Sequence, residues 1–123
     1  MTPEPVTILV IEDDPDLREL VCAMLVAEGL AVREAATGWH ALAILRADVR
    51  IDAILSDVIL AGVANGPDVV AKARALRPGL PAVFMSGYTD GALSPDSGFT
   101  LLEKPFRRQQ LMDALRHAIE GRA

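Results

Sequence analysis

Short apolar runs alternate along the chain with segments whose apolar residues recur every three or four positions. Val6 to Ile11 (VTILVI) is continuous and β-branched, as in a strand buried on both faces. Asp14 then offers a helix N-cap, with Pro15 at the first helical position and Asp16 in the first turn. Leu17, Leu20, Val21, Met24 and Leu25 follow at helical spacing, and Gly29 supplies a stop. Residues 30–35 alternate as a second strand, and Thr37 caps a helix carrying Ala41, Leu42, Ile44 and Leu45. Residues 51–56 read as a third strand ending at Asp57. Gly66-Pro67 opens a helix with Val69, Val70, Ala73 and Leu76 facing inward, and Pro78-Gly79 closes it. Residues 81–86 give a fourth strand and 99–102 a short fifth. Leu111, Met112, Leu115, Ala118 and Ile119 stripe a C-terminal helix.

Strands that alternate with helices predict a parallel sheet covered on both faces, an α/β doubly wound fold. A flavodoxin-like strand order of 2-1-3-4-5 sets the first and third strands side by side at the switch point, where such sheets bind ligands. Only residues 89–98 (TDGALSPDSG) lack an apolar stripe. Trp39 is expected to cover the sheet edge, and His40 and His117, which show no metal spacing, to lie on the surface.

Composition narrows the function. At 123 residues the chain is expected to be one domain, 1–123, with no room for an output module. Twelve basic against seventeen acidic residues give a net charge of -5, which disfavours a nucleic-acid partner. No apolar run is long enough to span a membrane, and no signal-peptide pattern is expected at the start. The lone Cys22 makes no internal disulfide, so the cytoplasm is the default location.

The polar residues fall at the carboxyl ends of the predicted strands: Glu12 and Asp13 after the first, Asp57 after the third, Ser86 after the fourth and Lys104 after the fifth. Each has an ordinary reading alone. Asp14 and Asp16 are caps, Asp13 and Ser86 suit turns, Asp57 can simply end a strand, and Lys104 before Pro105 can be solvated. Together they fit one site. Three close carboxylates repel, and a hard divalent cation such as Mg²⁺ or the Lys104 ammonium relieves that repulsion. An ionised Asp57 is then a nucleophile for a phosphoryl group, whose oxygens Lys104 and the Ser86 hydroxyl can hold.

These segments, ILVIEDDPDLREL, ILSDVILAG, NGPDV, VFMSGY and LLEKPF, resemble the receiver domain of two-component response regulators (CheY-like) over nearly the whole chain. The stretch DVILAGVANG looks like receivers attached to hybrid histidine kinases. The resemblance implies that Asp57 is the phosphoacceptor and that Asp13 ligates Mg²⁺ directly, with Glu12 acting directly or through water. It implies the backbone carbonyl of Ile59 as a further ligand, Ser86 as the switch hydroxyl, Lys104 as the site lysine and a cis Lys104-Pro105 bond. A histidine kinase or histidine phosphotransfer protein is the implied donor. A downstream protein is expected on a face made of loop 89–98, the fifth strand and the last helix, where Arg107, Arg108, Arg116 and Arg122 are basic.

The departures from that family are specific. The spacing from Asp57 to Gly66 is one residue longer than usual, and Ala61 stands where proline is frequent. Ile59 places an apolar side chain beside the site and is expected to slow loss of the phosphoryl group. Leu101 replaces the usual switch aromatic, leaving Tyr88 as a substitute. The stretch from Ser86 to Lys104 is short, so the helix between the fourth and fifth strands is expected to be shortened or irregular. An enzyme such as a phosphohydrolase is disfavoured, since no second Asp follows Asp57 by two residues and there is no substrate cap; a nucleotide-binding domain is disfavoured too, since no GxGxxG or P-loop follows the first strand. The alternative from another class is a phosphorylation-independent protein-interaction domain on the same fold. The chain ends suit either a whole protein or a receiver cut from a hybrid kinase.

Overall fold

The computed structural model describes residues 5–47, 49–58, 60, 65–87 and 100–121. Five strands, β1 (Thr7–Ile11), β2 (Ala31–Ala35), β3 (Ala53–Asp57), β4 (Ala82–Ser86) and β5 (Thr100–Glu103), form one parallel sheet in the order β2-β1-β3-β4-β5. Four helices are described: α1 (Pro15–Ala27), α2 (Gly38–Arg46), α3 (Gly66–Leu76) and α4 (Arg108–Glu120). The expected strand order is the observed one. The segment expected to hold a shortened helix, residues 89–98, lies outside the described residues.

Strand alternation sorts the core into two layers. Leu9 and Ile11 of β1 point with Ile54 and Phe84 toward α2 and α3, where Leu42, Leu45, Val69 and Val70 close over them. Ile8 and Val10 point the other way, with Leu55, Val83 and Met85, toward Val21 and Leu25 of α1 and Leu111 and Leu115 of α4. Ile8 through Ile11 are therefore fully buried, and burial of each such side chain contributes about 1.5–3 kcal/mol.

Local signals set the helix ends. Asp14 accepts from the backbone N–H groups of Asp16 and Leu17 at 3.0 and 3.4 Å, and Thr37 accepts from His40 N–H at 3.1 Å. After α1, Gly29 adopts φ +85°. Its N–H donates to Val26 and that of Leu30 donates to Leu25, a Schellman closure that only a left-handed residue permits at low cost.

Three apolar side chains depart from the sequence expectation. Leu20 and Leu76, placed on inward stripes, are exposed, because the buried stripe of each helix is narrower than its apolar one. Trp39 does not cover the sheet edge; it is 69% exposed on α2, with the Lys72 ammonium 5.9 Å from its ring centroid. His40 and His117 are on the surface. No described helix is long and apolar enough to cross a membrane.

Candidate functional site

The strand order brings the carboxyl ends of β1 and β3 together, with β4 and β5 following on one side. Glu12 and Asp13 follow β1 directly, Asp57 ends β3, Ser86 ends β4 and Lys104 follows β5. Carboxylate oxygens of Glu12, Asp13 and Asp57 all lie within 4.8 Å of one another. Asp13 is exposed, whereas Glu12 is only 1% exposed and Asp57 is buried.

Lys104 reaches this cluster from the far strand. Its Nζ lies 2.5 Å from Asp57 Oδ1 and 3.7 Å from Glu12 Oε1. The reach is fixed from below, since Lys104 N–H donates to the Ser86 carbonyl at 2.7 Å and so extends the β4–β5 ladder by one bond. The Lys104-Pro105 bond is cis, as the resemblance implied. Ser86 is buried at its strand end, and its hydroxyl donates to the Gly87 carbonyl at 2.9 Å, the turn contact weighed in the sequence.

The residues fit a hard divalent cation. Three carboxylates and one ammonium meet at the cluster, a concentration of negative charge that attracts a cation. Glu12 Oε2 is buried with no hydrogen-bond partner among the described residues, a costly state for a carboxylate oxygen that a cation relieves. Ile59 and Tyr88 lie outside the described residues.

Two further residues shape the site: Gly66, which the sequence marked only as a helix start and a spacing, and Arg18, which sequence reasoning did not single out. Gly66 opens α3 directly against β3: its N–H donates to the Val58 carbonyl at 2.8 Å, and a Cβ there would collide with the Asp57 carbonyl oxygen. Arg18, one turn into α1, donates from Nη1 to the Glu12 carbonyl at 2.7 Å. Helical side chains lean toward the helix N-terminus, so a long cation placed after a strand-end acidic pair is the signal that could have found it.

Comparison with known proteins gives a single answer. The family model of the response regulator receiver domain matches residues 8–116. The chain is similar to the sensor kinase CckA of Brucella abortus (strain 2308), 32% identical over 93% of this chain and 12% of that protein. It is also similar to the probable transcriptional regulatory protein TcrX of Mycobacterium tuberculosis, 34% identical over 92% of this chain and 49% of that one. The chain thus spans half or less of the length of these curated relatives. Among solved structures, a response regulator receiver protein from Sinorhizobium medicae WSM419 superposes with a TM-score of 0.85 at 29% identity, covering 98% of each chain. The receiver domain of the hybrid histidine kinase CckA superposes at 0.78 with 34% identity, covering 92% of this chain and 98% of that one.

Proposed function

The chain belongs to the response regulator receiver domain family, a family of signalling domains, and on that premise we propose that residues 1–123 form one receiver that takes a phosphoryl group onto Asp57. The observation that carries this reading is the Asp57 carboxylate, held by Lys104 inside the Glu12–Asp13–Asp57 cluster at the switch point of the sheet. The donor is a histidine kinase or a histidine phosphotransfer protein. An Asp57 carboxylate oxygen bonds to phosphorus as the P–N bond to the donor imidazole breaks, and the electron pair leaves with the imidazole, which takes up a proton.

Glu12, Asp13 and Asp57 would hold Mg²⁺, with the Ile59 backbone carbonyl as a further ligand. Bound Mg²⁺ supplies positive charge for the phosphoryl oxygens. Lys104 adds an ammonium that already touches the acceptor carboxylate, so little reorganisation is needed to offset the new negative charge. The Ser86 hydroxyl rotates from the Gly87 carbonyl toward a phosphoryl oxygen, with Tyr88 proposed as the accompanying switch residue.

The proposed output surface is on β5 and α4, with residues 89–98, outside the described residues, as its expected continuation. Leu101 is 46% exposed on the sheet-edge strand β5, where a partner protein could cover it. The basic character of α4 is partly spent within the fold, since Arg108 pairs with Glu28 at 3.2 Å and Arg116 with Asp113 at 3.6 Å. The free Cys22 thiol suits a reducing cytoplasm.

The test is mass spectrometry after treatment with acetyl phosphate and Mg²⁺. The wild type should gain one phosphoryl group and Asp57→Asn none. An equal gain by the variant would overturn the site, and no gain by the wild type would favour a phosphorylation-independent interaction domain.

A further inference from the structure

The main chain of Glu12 is held at both of its polar groups. Its N–H donates to the Ala35 carbonyl on β2 at 3.0 Å. Its C=O accepts from Arg18 Nη1 at 2.7 Å. That carbonyl belongs to the peptide plane joining Glu12 to Asp13, so the bond restrains the plane from which Asp13 extends. The same guanidinium turns its Nε to Glu34 Oε1 at 3.4 Å, one residue before Ala35 on β2. Arg18 is only 20% exposed at its side chain.

We propose that Arg18 is a positioning residue for the acidic pair: its guanidinium bridges the Glu12 carbonyl and Glu34, and so holds the Glu12–Asp13 turn in the orientation that binds the divalent cation. This rests on the reading of Glu12 and Asp13 as metal-holding residues. Arginine is required because its planar fork offers separate N–H groups to two acceptors at fixed angles, whereas lysine presents one nitrogen. Glu34 is the other half of the clamp. It neutralises Arg18 locally, so the guanidinium acts on the acidic cluster through geometry more than through net charge.

The experiment is a Mg²⁺ titration followed by NMR on the unphosphorylated protein, with urea unfolding of each variant alongside. Arg18→Ala should weaken Mg²⁺ binding about tenfold, the scale expected for a lost partner of a metal ligand. Arg18→Lys should recover only a minor part of that loss despite keeping the charge, and Glu34→Gln should show a smaller loss. A purely structural staple would lower the urea midpoint and leave the Mg²⁺ affinity unmoved. Wild-type affinity in Arg18→Ala, or full recovery in Arg18→Lys, would overturn the clamp. Absence of Mg²⁺ binding by the wild type would instead overturn the metal reading on which the clamp rests. Should Arg18→Ala fold poorly, Glu34→Gln and Arg18→Lys decide the question, because a wild-type affinity in both would equally overturn it.

Discussion

Lys104 stands against two buried carboxylates at once, 2.5 Å from Asp57 and 3.7 Å from Glu12. Removing its ammonium leaves those charges in a poorly solvated place, so Lys104→Met should lower stability in Mg²⁺-free buffer by about 1–3 kcal/mol. Saturating Mg²⁺ should narrow the gap to wild type, because the cation supplies the missing positive charge. Urea unfolding with and without Mg²⁺ reads both effects. Cys22 answers to pH instead. Burial, followed by the nearby Glu34 carboxylate, raises its thiol from 9.0 to about 11. The folded chain keeps this proton after the unfolded chain has released it. Its contribution to stability is thus complete below about 9 and is lost as the pH rises through about 11. The difference in unfolding free energy between wild type and Cys22→Ala should shrink over that interval. The place of Asp57 at a strand end was legible in the sequence, but the surroundings of Cys22 were not, because they come from burial and from Glu34 on β2 and Arg18 on α1.

At the scale of elements, the junction of β3 and α3 ties the fold to the site. Gly66 lies against the Asp57 carbonyl with no space for a Cβ, and backbone cannot give way as a flexible side chain can. Gly66→Ala should cost about 1–3 kcal/mol, as overpacking does, and should also slow phosphorylation of Asp57, since the displaced α3 pushes on the strand end that carries it. Differential scanning calorimetry and the rate of phosphoryl uptake from acetyl phosphate check the two halves. The sequence marks Gly66-Pro67 as a helix start, and that start is observed. It does not show that glycine is demanded by contact with a strand end. Similarly, the periodicity of α1 and α3 located the helices, but it did not tell Leu20 and Leu76 from their buried neighbours. How wide a buried stripe becomes depends on what the helix meets.

The fold gathers an acidic cluster from the ends of two strands and closes it with a lysine from the end of a third. A cation bound there holds to the folded chain alone, since the unfolded chain scatters its ligands. Mg²⁺ at a hundred times its dissociation constant should therefore add about 2.7 kcal/mol to the unfolding free energy, and Asp13→Asn should flatten that dependence. Thermal melts across a Mg²⁺ series, each with a chelator control, give the slope. Apolar runs, helix periodicity and caps such as Asp14 and Thr37 are local, and the sequence by itself determined the elements, the parallel sheet and the residue types at each strand end. The strand order was inferred from the pattern and is the one observed. Only the tertiary structure decided that Lys104 spans Asp57 and Glu12, that Arg18 grips the Glu12 carbonyl, that Gly66 abuts Asp57 and that Trp39 lies open beside Lys72. The physical reason is that each of these depends on the distance between groups far apart in the chain, and that distance exists only once the two layers of helices have packed on the sheet.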